Sequence, residues 1–173
     1  MDQTELRAWE QRCIQEEAPE CTAACPIHVD ARAFVGHVGR GEWREAWKVL
    51  YKSMPFPGIL GRICDAPCRR RCKRMEAGDP IQIGGVERAC VATPPPSFRV
   101  QPLPRKGKTV AVVASGLSGL TAAWDLARKG YSIRIFEPGP KLGGLLRRIH
   151  GRLLPEAALD EELDRLSALD VAV

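Results

Sequence analysis

The chain has no long apolar run: nothing in its 173 residues approaches the roughly 18 apolar positions of a membrane span. Its start, MDQTELRAWEQRC, is too polar for a secretory leader, so a cytoplasmic protein is expected. No charge sign dominates. Lys and Arg number 26 and Asp and Glu 21, a net charge of +5. Residues 1–104 carry 15 basic and 13 acidic groups, and residues 105–173 carry 11 and 8. Neither half has the basic surplus of a nucleic-acid binder, and no nucleic acid is expected as a partner. There is no internal repeat of solenoid length. The three histidines, His28, His37 and His150, are scattered, and the sequence identifies no general base, nucleophile or substrate pocket. No cysteine follows Cys90.

Before that point there are seven: Cys13, Cys21, Cys25, Cys64, Cys68, Cys72 and Cys90. An odd number in a chain read as cytosolic argues against a disulfide framework and for metal binding. They fall into two groups, Cys13-x7-Cys21-x3-Cys25-Pro26 and Cys64-x3-Cys68-x3-Cys72. Thiolates so crowded are soft ligands for zinc or for iron–sulfur clusters. Zinc sites favour two-residue gaps. Three-residue gaps, with a proline straight after a cysteine, fit cluster loops better, so the spacing favours iron–sulfur and leaves zinc as the alternative. Arg69, Arg70, Arg71, Lys73 and Arg74 surround Cys68 and Cys72. They read equally as a solvated loop and as a surface for an acidic partner.

The cysteine break marks a domain boundary. We expect a helical domain over 1–92, a proline-rich linker over 93–107 and a third segment over 108–173. In the first, Asp30 is placed to cap a helix over 31–38 with Phe34, Val35 and Val38 inward. Trp43, Trp47, Leu50 and Tyr51 form a helical stripe over 42–52, read as core in preference to a stacking platform. MPFPG (54–58) stops that helix. In the last segment TVAVV (109–113) reads as a strand of a parallel sheet covered on both faces. A glycine turn, a helix near 117–129 and a second strand SIRIF (132–136) complete a βαβ opening. Residues 154–170 read as an amphipathic helix with Pro155 near its first turn, and VAV (171–173) as the start of a third strand.

The stretch CTAACPIHVDARAFVGHVGRGEWREAWKVLYKSMPFPGILGRICDAPCRRRCKR resembles the N-terminal iron–sulfur domain shared by the glutamate synthase small subunit, dihydropyrimidine dehydrogenase and the large subunit of the bifurcating ferredoxin:NADP transhydrogenase. The shared elements are CxxxCP followed by VD, PxPG…GR(I/V)C, the CxxxCxxxC run and IQIGGVER (81–88). The resemblance implies an α-helical domain with two 4Fe-4S clusters. One would take Cys25, Cys64, Cys68 and, as a non-cysteine ligand, Glu87. The other would take Cys13, Cys21 and Cys72, with Glu16 standing where relatives have a fourth cysteine. That departure leaves an oxygen ligand, a cluster short of one iron, or an empty site. Without the resemblance Glu87 would read as a solvated helix charge. Cys90 has no counterpart in the pattern and reads as a small buried apolar residue.

VAVVASGLSGLTAAWDLARKGYSIRIFE resembles the first βαβ of an FAD-binding dinucleotide fold. This implies a truncated, Rossmann-like α/β segment after the helical domain. The G-x-G-x-x-G fingerprint reads Ala114-x-Gly116-x-x-Gly119: the turn glycine has become alanine, while Gly116 and Gly119 are kept. Glu137 stands where an acid would hold the adenosine ribose. KLGGLL (141–146) supplies Gly143 and Gly144, the family's glycine pair near the flavin. Two or three strands leave sheet edges bare, so a partner polypeptide is expected to cover them. The expected function is an electron-transfer subunit of a larger flavin- or NAD(P)H-linked oxidoreductase. The alternatives are the FAD-binding half of a split flavoprotein and a zinc-binding interaction module.

Overall fold

A computed structural model describes residues 2–11, 19–93 and 101–173. The chain clusters into two compact units, the first built from 1–54 and 64–95 and the second from 55–63 and 96–173. Residues 55–63, which lie between the two cysteine groups in sequence, belong to the second unit.

The first unit is helical: α1 (Gln3–Gln11), α2 (Glu20–Ala24), α3 (Ala31–Gly39), α4 (Trp43–Ser53) and α6 (Ile83–Ala92), with short 3-10 helices at Pro67–Arg71 and Lys73–Glu76. Asp30 caps α3 as its position predicts, its carboxylate accepting the Ala33 N–H at 2.9 Å. Phe34 is fully buried, while Val35 and Val38 are half-buried. The aromatic stripe of α4 is core. Trp47 stacks on Tyr51 at 5.0 Å and 11°, and its indole N–H donates to the Cys90 carbonyl at 2.8 Å. That bond ties α4 to α6 and satisfies the polar edge of a buried ring. α3, α4 and α6 supply buried apolar side chains, whereas α2 and the two 3-10 helices have no buried residue.

The second unit holds α5 (Pro57–Ile63), β1 (Thr109–Val113), α7 (Leu117–Arg128), β2 (Ser132–Phe136), a 3-10 helix at Gly144–Arg148, α8 (Glu156–Asp164), another at Arg165–Ala168, and β3 (Val171–Ala172). The sheet is parallel in the order β1-β2-β3, with Val112 opposite Ile135 and Ile133 opposite Val171. Val112, Ile133 and Ile135 point to one face, where α7 packs with Leu120, Ala123, Trp124 and Ala127. Phe56 meets Trp124 at 5.7 Å, and α5 packs on α8.

Two expectations change here. β1 is covered on one face, not two: alternation sends Val113, 81% exposed, and its partner Phe136, 52% exposed, to the side away from α7. The 154–170 helix is shorter, because Pro155 is extended at its N-cap and the last turn tightens into the 3-10 stretch Arg165–Ala168. Among the described residues no helix is long and apolar enough to cross a membrane.

Candidate functional site

In the first unit, α2 packs against the 3-10 helix Pro67–Arg71. Cys21 lies on α2 and Cys25 ends it; Cys68 lies in the 3-10 helix and Cys72 ends it. This pairing brings the segment of Cys21 and Cys25 against that of Cys68 and Cys72. Burial pushes the Cys68 thiol up to about 11, with the negative charges of Glu87, Cys25, Cys64 and Cys21 adding to the effect in that order. Five acidic side chains from three stretches of sequence thus act on one neighbourhood. Cys64 is exposed, and its sulfur accepts the Ala66 N–H at 3.3 Å. Ala66 is left-handed, with φ +50°, and His28, three residues after Cys25, has the same φ. Such strain in a non-glycine residue collects at functional loops.

Glu87 is 6% exposed on α6, and burial raises its carboxyl to about 7 against the opposing Arg88 cation. It is not the solvated charge that an isolated helical glutamate suggests. Cys90, one turn on, is fully buried, and burial alone lifts its thiol to about 11. It behaves as a small apolar side chain.

Among the described residues no three His, Cys, Asp or Glu side chains converge as ligands of a single metal ion do. Two further groups went unnoticed in sequence. The Thr22 hydroxyl and the Arg69 Nε are buried without a hydrogen-bond partner. Thr22 lies between Cys21 and Cys25, and Arg69 follows Cys68; that adjacency was the available signal. An acceptor between α2 and the 3-10 helix would satisfy them, so the residues present fit a sulfur-rich anionic group. Cys13 and Glu16 lie outside the described residues.

The second unit presents a different site. At the end of β1, Ala114 has φ +72°, the left-handed turn for which the fingerprint uses glycine. The turn survives the loss of that glycine. Gly116 is the N-cap of α7, and apart from its chain neighbours nothing lies within 4 Å of where its Cβ would stand. The helix N-terminus is therefore open to an anion. Gly119 is required by close packing, since a Cβ there would lie 2.3 Å from the Ala114 carbonyl oxygen. Gly144, at φ +49°, backs onto the same turn: its Cβ would stand 3.2 Å from Gly116 N and Cα.

Ser115 joins the three parts. Fully buried, it donates its backbone N–H to Glu137 Oε2 at 2.9 Å and its hydroxyl to the same oxygen, and accepts the Gly143 N–H at 2.9 Å. Glu137 Oε1 accepts the Gly139 N–H at 2.9 Å. The Ser115 hydroxyl first, then the two amides, hold the Glu137 carboxyl below the usual range. Glu137 is thus an ionised latch between β2 and the glycine turn, with acceptor capacity left on Oε1. Arg147 fixes the Gly143–Gly144 loop by donating Nε to the Leu142 carbonyl at 2.6 Å while pairing with Asp160 at 2.7 Å. The open face at Gly116 and the helix N-terminus fit a dinucleotide phosphate.

Comparison with known proteins finds two family matches along the chain. Residues 1–94 match the family described as dihydropyrimidine dehydrogenase domain II, 4Fe-4S cluster, and residues 112–160 match the NAD(P)-binding Rossmann-like domain. The chain is 36% identical over 169 residues to the glutamate synthase [NADPH] small chain of Mycobacterium tuberculosis, covering 95% of this chain and 35% of that protein. It is 30% identical over 172 residues to the NADPH-Fe(3+) oxidoreductase subunit beta of Geobacter sulfurreducens, covering 94% of this chain and 25% of that one. Against the small chain of Bacillus subtilis the identity is 35% over 147 residues, 78% of this chain and 30% of the relative. The chain spans about a third or less of the length of these relatives.

Proposed function

We propose, from the premise that this chain belongs to the dihydropyrimidine dehydrogenase domain II, 4Fe-4S cluster family, that it is an electron-relaying part of a larger NAD(P)H-linked oxidoreductase assembly in the cytoplasm. The observation that carries this reading is the packing of α2, which bears Cys21 and Cys25, on the 3-10 helix that bears Cys68 and Cys72, two elements with no buried residue of their own. Such loops need a partner other than an apolar core, and a bound 4Fe-4S cluster would supply both cohesion and one-electron chemistry. Cys25, Cys64, Cys68 and Glu87 hold one cluster; Cys13, Cys21 and Cys72, with Glu16 as the odd ligand, hold the other. Loading is coupled to proton release, because the Cys68 thiol is protonated at neutral pH without a cluster.

Partners follow from two surfaces. Residues 64–75 carry five basic side chains against Asp65 alone, a surplus of four in a chain whose total surplus is five. Their ion pairs are long: Arg70 to Asp65 is 3.7 Å and Lys73 to Glu20 is 3.8 Å. This loop faces an acidic protein surface. The bare sheet face with Val113 and Phe136 is covered by further polypeptide.

A second reading, in which the other unit holds FAD, is favoured by the open face at Gly116 and the latch joining Ser115, Glu137 and Gly143. Gly116, Gly119, Glu137, Gly143 and Gly144 would line that site.

The test is EPR of the anaerobic, dithionite-reduced protein, wild type against Cys25→Ser and Cys64→Ser. Each variant is expected to lose the signal of one cluster and to stop electron flow through the assembly. Zinc in place of iron and sulfide would replace this reading with that of an interaction module. Stoichiometric FAD in the purified assembly, lost in Gly116→Val, would establish the second reading.

A further inference from the structure

Unit 1 contains an imbalance of donors. A buried donor without an acceptor is destabilising, and the two cysteine-bearing elements that pack together carry one each: the Thr22 hydroxyl on α2 and the Arg69 Nε–H in the 3-10 helix. Thr22 does not take the common alternative of bonding the preceding turn of its own helix. Arg69 differs from its neighbours: Arg70 and Arg71 are exposed, whereas Arg69 has its Nε turned inward. In sequence they adjoin Cys21, Cys25 and Cys68, and among the described residues no side chain or backbone group of the cluster-free fold accepts from either of them. The missing partner is an anionic, polarisable acceptor at the meeting of the two elements.

We propose that Thr22 and Arg69 are positioning residues that donate hydrogen bonds to the sulfur of a cluster seated between α2 and the 3-10 helix, and so raise its reduction potential. This rests on the electron-relay reading. A hydrogen bond to sulfur stabilises the reduced, more negative cluster over the oxidised one. Removal of a donor therefore moves the midpoint downward. The two residues act by different chemistry: Thr22 is neutral, so its effect is the hydrogen bond alone, whereas Arg69 adds a charge.

The experiment is an EPR-monitored redox titration of the full chain, with iron and sulfide measured on the same samples. Thr22→Val removes the hydroxyl at nearly constant shape. Thr22→Ser keeps it. Arg69→Lys keeps the charge and removes the donor from the buried depth. At full iron content, Thr22→Val and Arg69→Lys are expected to lower one midpoint by about a tenfold change in the reduced-to-oxidised ratio, about 59 mV for one electron. Thr22→Ser is expected to match the wild type. Iron lost from Thr22→Val and retained in Thr22→Ser also supports the contact. Unchanged midpoints in both donor-free variants overturn the proposal and leave the relay reading intact. Iron lost equally from Thr22→Val and Thr22→Ser overturns it too, since packing then explains the loss. A wild-type chain without iron and sulfide overturns both.

Discussion

The two units solve the problem of holding a loop still by opposite means. In the second, the glycine turn is fixed from within: Ser115 reaches Glu137 and Gly143, Gly119 lies against the Ala114 carbonyl, and an apolar layer from Leu120 to Ala127 sits behind. In the first, the cysteine loops have no such support. Their elements bury no residue, two donors are left unpaired, and a carboxyl is pushed up to about 7. A site complete before its ligand arrives looks like the glycine turn. A site whose ligand is part of the fold looks like the cysteine loops.

The sharpest way to break this contrast is to remove a cluster ligand. Cys64→Ser is expected to lower iron by about four atoms per chain and to lower the melting temperature of the first unit, with the second unmoved. Iron analysis and a melt followed by visible absorption check this; an unaltered iron content would remove the contrast. The reverse experiment is Gly119→Ala. Its Cβ would meet the Ala114 oxygen at 2.3 Å, so α7 must retreat from β1, at a cost of about 3 kcal/mol to the second unit. Denaturant unfolding read by Trp124 fluorescence is the measure, with iron content expected to stay constant.

A gain is expected from Ala114→Gly. Alanine at φ +72° is strained, and glycine relieves about 1 kcal/mol in the fold, partly offset by the greater freedom of the unfolded chain. The same variant restores the full fingerprint, so dinucleotide affinity measured by calorimetry should rise or hold. The smallest effect is at the surface. Arg40 and then His37 lower the exposed Glu42 carboxyl to about 2 from 4.5. A lowered folded value means that this contribution is present above pH 4.5 and is lost as pH falls toward 2. Glu42→Gln is expected to flatten the acid limb of a stability curve slightly, and salt to shrink the difference.

Much of this was legible in the sequence where the signal is local. Asp30 three residues before Ala33, the stripe of Trp47, Leu50 and Tyr51, and the strand–turn–helix from Thr109 each lie within one element. The match of the family over residues 1–94 agrees with the motif of cysteines and proline. What stayed hidden depends on partners far apart in sequence. MPFPG reads as a stop, yet Pro57 also opens α5, since proline is tolerated at the first helical position. The strand TVAVV reads as covered on both faces because composition does not reveal how many helices the sheet receives. Glu137 reads as a ribose acid, and only the fold shows Ser115, 22 residues earlier, on its carboxylate. Thr22 and Arg69 carry no motif, and their meaning appears only when burial leaves them unpaired.

The central claim is that the cysteine loops fold around inorganic iron and sulfide. Quantification of both in protein purified without oxygen tests it most directly. The account predicts about eight irons per chain, or about four if the site at Glu16 is dead, with matching sulfide. A colourless, iron-free chain with a fully ordered first unit would contradict it.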